Sequence, residues 1–256
     1  MLKSNYTDRF VIRQEWDDYD STLARLNTIQ KLSRFCDSLY EADTSNLSYP
    51  EVIAFVMRKK FYHEYSFYDF QTNPIGFLGS YILKNGAIAV VLPDYIVKYP
   101  YAACSQQSIV GMELFKRKGY PTRKVAMTDS LLSQGHFAYE AYYTGGWHYF
   151  DSDQEPDTAV LNKYKRPSVA YMASNPEIAL LAYNKNKDPE LFKRLILSYK
   201  NGPVNKFPAP NAYLYQTVTK FLSYFGWLVM LAIIIIRALI TKSQKMHIKQ
   251  QLPISK

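Results

Sequence analysis

Three side chains of this sequence, Cys104, His136 and Asp151, have the types and the order that nucleophilic catalysis by cysteine requires. A thiol attacks a carbonyl carbon only as the thiolate, so it needs a nearby group that takes up its proton. An imidazole can do this, and a carboxylate bonded to the second ring nitrogen fixes the tautomer and orientation of the ring. The three residues therefore predict a catalytic triad, with Cys104 as nucleophile, His136 as base and Asp151 as the group that orients His136.

The predicted elements around these residues bring them together. Cys104 stands at or just before the start of an amphipathic helix that ends at Gly119, and a helix N-terminus favours a negative charge. His136 opens the first arm of a predicted β-hairpin and Asp151 closes the second arm. In antiparallel strands these two ends lie side by side, roughly 5 Å apart between backbones. We therefore expect both side chains to face the start of the cysteine helix.

The residues around the predicted triad form a longer pattern. Beyond the Cys104 helix, three runs carry it: Gly119-Tyr-Pro-Thr-Arg123, Gly135-His136-Phe-Ala-Tyr-Glu140 and Gly145-Gly-Trp147-His-Tyr-Phe-Asp151. In order, spacing and residue type, this pattern resembles the core of the transglutaminase-like superfamily over roughly residues 49 to 151. Two positions depart from the family pattern: Ala102, where a glycine is usual, and Phe137-Ala138, where Ala-Trp is more typical.

The resemblance implies an α+β fold with a papain-like, cysteine-protease-like core, in which helices pack on a small antiparallel sheet. It also implies acyl transfer through a thioester on Cys104, and by analogy we expect hydrolysis of an amide or peptide bond rather than cross-linking to an amine. The expected substrate is a peptide or protein, and no cofactor or metal is expected. Four further residues are predicted to support the site. Tyr101, or alternatively Tyr99, is a helper of the oxyanion; Glu140 either supports the site or binds backbone or solvent; Trp147 and Arg123 are packing and positioning groups.

Other interpretations of these features are simpler. A lone cysteine is usually a small buried hydrophobic residue, and this is our interpretation of Cys36, beside Phe35 on a predicted helix. The acidic run from Asp151 to Asp157 has Pro156 where a calcium loop needs a glycine, so no calcium site is predicted. An alternative function is a non-catalytic transglutaminase-like module that holds a partner at the membrane. A sugar- or lipid-processing component is a further alternative that no motif supports.

Composition limits the class of protein. A chain of 256 residues with 48% hydrophobic and 21% charged residues is typical of one globular domain with an appendage. The net charge of +9 is not concentrated in a Lys/Arg block with interleaved aromatic residues, so no nucleic-acid partner is predicted. Because only two cysteines occur, neither a disulfide framework nor a cysteine-based zinc site is predicted.

Changes in composition and hydrophobic period divide the chain into six predicted segments. They are an N-terminal helical region (1–48), a catalytic core (49–165), a C-terminal helical extension (166–200), a linker (201–212), a transmembrane helix (213–240) and a basic tail (241–256). Within them, helices are expected over residues 21–40, 49–60, 176–183 and 189–199, a short strand or extended segment over 87–92, and a polar loop between Asp151 and Pro176.

The C-terminal segment from Phe221 to Ile240 is apolar except for Ser223 and Arg237. A helix of about 20 residues spans the ~30 Å hydrocarbon core of a bilayer, so we predict a single-pass membrane protein with the bilayer as a partner. The lysines of the tail favour a cytoplasmic tail and an enzyme outside. The N-terminal residues contain no apolar stretch of secretory-signal length, which favours a cytosolic enzyme. The sequence leaves the side of the catalytic domain open.

Overall fold

The computed structural model shows an α+β chain that divides into two compact units. The first unit comprises Met1–Phe67 and Ala89–Pro210, and the second comprises Tyr68–Ile88 and Asn211–Lys256. The residues that the structure describes are 18–42, 47–80, 82, 89–129, 134–154 and 156–251. The predicted combination of helices, a small antiparallel sheet and one C-terminal apolar helix is confirmed. Parts of the predicted N-terminal region and basic tail, and positions 87 and 88 of the predicted extended segment, lie outside the described residues.

The N-terminal helical pattern is divided into two helices. A 3-10 helix covers Ser21–Arg25 and helix α1 covers Ile29–Glu41, where the sequence predicted one continuous helix. The break arises because the Thr28 hydroxyl accepts a hydrogen bond from the Lys31 backbone N–H and so starts a new helix. Helix α2, Tyr49–Lys60, has the predicted bounds, and at its start Glu51 Oε2 accepts from the backbone N–H (2.9 Å) and the hydroxyl (2.7 Å) of Ser48.

Helix α5 positions the cysteine. It covers Cys104–Arg117 and follows two short helices, α3 at Pro74–Ser80 and α4 at Pro93–Ile96. Gly119 follows the helix with a φ of +81°, a conformation that glycine adopts without strain. Gly111 allows α5 to approach the sheet closely, because a Cβ there would lie 2.5 Å from the ring of Tyr139.

Two short backbone segments pair with each other beside the start of α5. Phe67 and Ala89 form an antiparallel bridge, and the Val90 N–H donates to the Ser66 carbonyl over 2.9 Å. The Gln106 side chain, in the first turn of α5, donates from Nε2 to the carbonyl oxygens of Ser66 (2.9 Å) and Val90 (2.7 Å). The buried Gln106 amide therefore fixes the start of α5 to both segments of this pair.

The sheet positions the histidine and the aspartate. Among the described residues it has four antiparallel strands in the order β3-β2-β1-β4: β1 Thr122–Asp129, β2 Gln134–Tyr143, β3 Gly146–Phe150 and β4 Lys200–Asn201. The predicted hairpin joins β2 and β3 through Thr144 and Gly145, whose positive φ values of 48° and 82° suit a two-residue turn. Tyr139 pairs with Phe150, the last residue of β3. Asp151 follows directly and therefore lies beside the first part of β2, which contains His136.

Four helices follow β3 and pack into a second part of the core. The predicted polar loop before Pro176 is wrong in part, because it contains helices α6 at Thr158–Lys163 and α7 at Val169–Ser174. Each is too short to show a hydrophobic period, but Asp157 and Ser168 cap them, and Leu161, Val169 and Met172 are fully buried. Helices α8 at Pro176–Ala182 and α9 at Pro189–Leu197 lie close to the predicted bounds.

The second unit joins α3 to one long helix, α10, at Pro210–Gln251. Asn73 is fully buried in this unit; its Nδ2 donates to Thr219 Oγ1 over 3.0 Å, and its Oδ1 accepts from Ser223 Oγ over 3.1 Å. Among the described residues one segment, Pro210–Lys242, is long and apolar enough to cross a bilayer, and none of its apolar window is buried. An apolar helix left uncovered in this way has the surface that lipid requires.

Candidate functional site

Cys104 is the first residue of α5, directly after the N-cap Ala103. Its exposed fraction is 9%, and it opens onto a cavity of about 260 Å³. His63 and His136 also line this cavity, together with apolar side chains of α9: Leu191, Phe192 and Leu195. The position at the start of α5 places the sulfur at the positive end of the helix dipole, which favours the thiolate.

His136 connects Cys104 to Asp151. Its Nε2 lies 2.7 Å from Asp151 Oδ2, and a nitrogen of the same ring lies within 4.8 Å of the Cys104 sulfur. Because Nε2 is paired with the carboxylate, Nδ1 is the ring nitrogen left to accept the proton of the thiol. The Phe192 ring meets the His136 ring edge to face at 5.7 Å between centroids, which restricts rotation of the imidazole.

Electrostatics favour a charged His136 ring. Burial lowers the pKa of His136, but the Asp151 carboxylate and the Cys104 side chain outweigh this and hold that pKa well above its ordinary value. Burial likewise raises the pKa of Asp151, but the His136 ring and the hydrogen bonds to the carboxylate hold it below its usual range. The pair is therefore carboxylate and imidazolium, and the imidazolium is the partner that a thiolate requires.

Asp151 is held by groups that the sequence did not indicate. Its Oδ2 also accepts from the Tyr183 hydroxyl over 2.7 Å, and its Oδ1 accepts from the backbone N–H groups of Asp153 (3.2 Å) and Gln154 (3.1 Å). Burial and the nearby Asp151 charge raise the pKa of Tyr183 well above its ordinary value, so the phenol remains a donor. A fully buried carboxylate with this many donors stays ionised and fixed in orientation.

The four predicted supporting residues lie elsewhere in the unit. Arg123 Nε lies 2.6 Å from Glu140 Oε2, and the guanidinium packs over the Trp147 ring at 4.2 Å. Glu140 also accepts from the Val169 N–H over 2.8 Å, so these three predicted residues connect the sheet to α7. The fourth, Tyr101, packs against other tyrosine rings. In the described part of the chain, none of the four lines the Cys104 cavity.

A second histidine and a second aspartate lie at the site. His63 Nδ1 is 2.5 Å from Asp153 Oδ1, and Gln107 Nε2 donates to the same oxygen over 3.0 Å. One ligand atom each of Cys104, His136 and Asp153 lies within 4.8 Å of the others, so this group could hold a metal ion. Asp153 could have been suspected from its place two residues after Asp151. His63 gave no sequence signal, because its partner is 90 residues away.

The arrangement contains the parts of nucleophilic catalysis: a thiol at a helix start, an imidazole that can carry its proton, and a buried carboxylate that orients the imidazole. Triads are recognised by such geometry and not by fold alone. Comparison of the chain with family models, with curated proteins and with solved structures finds no match. The chemistry of this site therefore has to be argued from its own residues.

Proposed function

We propose that this chain is a membrane-anchored cysteine enzyme of the transglutaminase-like type, which hydrolyses an amide or peptide bond through a thioester on Cys104. The observation that carries the proposal is the position of His136. Its ring lies 2.7 Å from the buried carboxylate of Asp151 and has a nitrogen within 4.8 Å of the Cys104 sulfur, beside a cavity that opens to solvent. A merely structural cysteine does not need a charged imidazole next to it.

The proposed reaction has two halves. The Cys104 thiolate attacks the substrate carbonyl, and the negative charge on the carbonyl oxygen is stabilised by the backbone N–H groups of Cys104 and Ser105, the first two residues of α5. His136 then gives its proton to the leaving amine, and the C–N bond breaks to leave the thioester. In the second half, His136 removes a proton from water, which attacks the thioester and releases the carboxylic acid and the thiol.

The shape of the site supports a peptide or protein substrate. The Cys104 cavity of about 260 Å³ shares residues with a neighbouring cavity of about 570 Å³ in the same unit. The shared lining is formed by Asp153, Gln154, Asn186 and Lys187. Two adjoining cavities offer more room to an extended chain than a single small molecule needs.

The apolar helix α10 supports the anchor. Trp227 and Tyr224 lie near the start of its apolar stretch, and Arg237 and Lys242 lie near its end, as is common at the two interfaces of a span. We propose that α10 crosses the bilayer once. Removal of residues 212–256 is expected to yield a protein that stays in the supernatant after membranes are sedimented and that still labels at Cys104; co-sedimentation with membranes would refute the anchor.

The function is tested by trapping the thioester. The full chain, purified in detergent, is mixed with short N-acetylated peptide p-nitrophenyl esters, and nitrophenol release is followed together with the mass of the protein. We expect a burst of one nitrophenol per chain and an acyl group on the peptide that contains Cys104, both lost in Cys104→Ala and both kept in Cys36→Ala. A chain that shows no burst and alkylates both cysteines equally slowly is the non-catalytic module instead.

A further inference from the structure

The buried carboxylate of Asp153 is not explained by the proposed reaction. Only 2% of its side chain is exposed, and one of its oxygens lies within 4.8 Å of both the Cys104 sulfur and a His136 nitrogen. The triad already has its orienting carboxylate in Asp151. Three side chains of types that bind divalent metal ions, a thiol, an imidazole and a carboxylate, therefore converge at one point of the site.

We infer that Cys104, His136 and Asp153 form a Zn²⁺ site that reversibly blocks the nucleophile. Ligands of tetrahedral zinc are roughly 3.3–3.8 Å apart, given Zn–S and Zn–N bonds of about 2.3 and 2.0 Å. The three atoms, within 4.8 Å of one another, reach this spacing by small side-chain adjustments. A thiolate and a carboxylate together balance the charge of the ion. The proton shared by Cys104 and His136 leaves to solvent on binding, and no other bond changes.

The surroundings of Asp153 resemble the outer partners of a metal ligand. Oδ1 is held by His63 Nδ1 and Gln107 Nε2, and Oδ2 accepts from Gln154 Nε2 over 3.2 Å. Hydrogen bonds of this kind fix the orientation of ligating carboxylates and contribute to affinity. The Oε1 atom of Gln107 is buried and has no partner among the described residues. It is an acceptor without a donor beside the candidate site, as expected where a metal-bound water completes the coordination.

The donor set selects the metal. One sulfur, one imidazole nitrogen and one carboxylate oxygen suit zinc, whereas magnesium and calcium require oxygen ligands alone. All three proposed ligands line the Cys104 cavity, so water could supply a fourth ligand from that side. Because the thiolate is bound to the ion, zinc-loaded protein is unreactive. This site goes beyond the proposed hydrolysis and holds whether or not the chain turns over a peptide, since its ligands are defined without a substrate.

The test measures binding directly. The full chain in detergent, reduced and treated with a chelator, is titrated with zinc sulfate by calorimetry, and with cobalt chloride by absorption spectroscopy. We expect one ion per chain and a sulfur-to-cobalt charge-transfer band. Asp153→Asn is expected to weaken binding by more than the ~10–100-fold that loss of an outer partner costs. Asp157→Asn is the matched control, because Asp157 caps α6, pairs with Lys185 and is expected to leave the affinity unchanged.

A second measurement requires no variant. Zinc is expected to protect Cys104 of the unaltered protein from iodoacetamide, whereas magnesium at the same concentration is not, and a chelator is expected to restore labelling. Equal affinity of Asp153→Asn and the unaltered protein, a cobalt complex without the sulfur band, or labelling that zinc does not slow would each overturn the site. None of these outcomes depends on peptide hydrolysis, so the zinc site and the proposed function stand or fall separately.

Discussion

The two cysteines of this protein lie in the same unit and are both nearly buried, yet their surroundings differ. Cys36 is in the middle of α1 with no exposed surface, and burial raises its pKa to about 12. Cys104 is 9% exposed at the first position of α5, and its sulfur lies within 4.8 Å of a nitrogen of His136, whose pKa is raised. The small difference in exposed area does not distinguish them. Their reactivity is expected to differ because of the helix position and the neighbouring imidazolium.

The strongest test of this comparison is removal of each sulfur in turn. Cys104→Ala is expected to lower kcat by on the order of 10⁶, since a nucleophile and its base act as one unit. Cys36→Ala is expected to leave kcat within about twofold, because Cys36 lies on α1 and not at the cavity. Steady-state hydrolysis of the peptide that gives the largest burst measures both. Retained turnover in Cys104→Ala would end the assignment of the nucleophile.

Asp151→Asn tests whether the His136 imidazolium, in addition to the helix position, makes Cys104 more reactive than Cys36. The amide cannot hold the imidazolium, so kcat is expected to fall by roughly 10⁴ while the thiol remains at the start of α5. Nuclear magnetic resonance of the His136 ring is expected to show a lower pKa than in the unaltered protein, because the Asp151 charge that raises it is gone. An unchanged ring pKa would mean that Asp151 does not act on His136.

Alkylation compares the two thiols in one sample. With a pKa of about 12, the thiolate fraction of Cys36 at pH 7 is on the order of 10⁻⁵. The raised pKa of His136 keeps its ring protonated as the pH rises through neutrality, so a positive charge remains beside Cys104 there. Iodoacetamide in the absence of metal is therefore expected to modify Cys104 at least ~10²-fold faster between pH 6 and 8, as peptide mass spectrometry would show. Equal rates would remove the distinction between the two cysteines.

The smallest expected effect of removing each sulfur is on the free energy of unfolding. Here Cys36→Ala is expected to have the larger effect and Cys104→Ala the smaller one. Cys36 is fully buried, so Cys36→Ala leaves a small void and is expected to lower the free energy of unfolding by about 1–2 kcal/mol. Cys104 borders an open cavity, so its replacement by alanine is expected to change stability by less than about 1 kcal/mol. Chemical denaturation of the two variants measures the difference. A larger loss for Cys104→Ala would show that this sulfur supports the fold.

The predictable parts of this molecule are those whose signals are local. The hairpin could be predicted because Thr144 and Gly145 interrupt two alternating strands, and the bounds of α2 because Pro50 stands in its first turn. The Cys104 helix could be predicted from its hydrophobic period and Gly119. These local signals also led to the expectation that His136 and Asp151 lie together, and in the structure they are in contact.

The parts that could not be predicted depend on residues far apart in the chain. His63 and Tyr183 reach the site only through tertiary packing and give no pattern along the sequence. Arg123 and Glu140 fit the strand alternation, but alternation alone does not show that they bind each other and not the site. Helix α6 spans fewer than two turns, so its apolar residues give no period, and its cap and burial stabilise it instead.

The backbone bridge between Phe67 and Ala89 joins the two ends of the intervening segment, which is therefore an insertion in the sequence of the first unit. The chain leaves the first unit and returns to it at paired backbone positions, and Gln106 holds both ends to the start of α5. Because the two ends of the insertion are paired, doubling its length costs only about 0.6 kcal/mol of loop-closure entropy. The segment between these positions can therefore differ in length or sequence while the helix that carries Cys104 keeps its place, as insertions between paired backbone positions generally can.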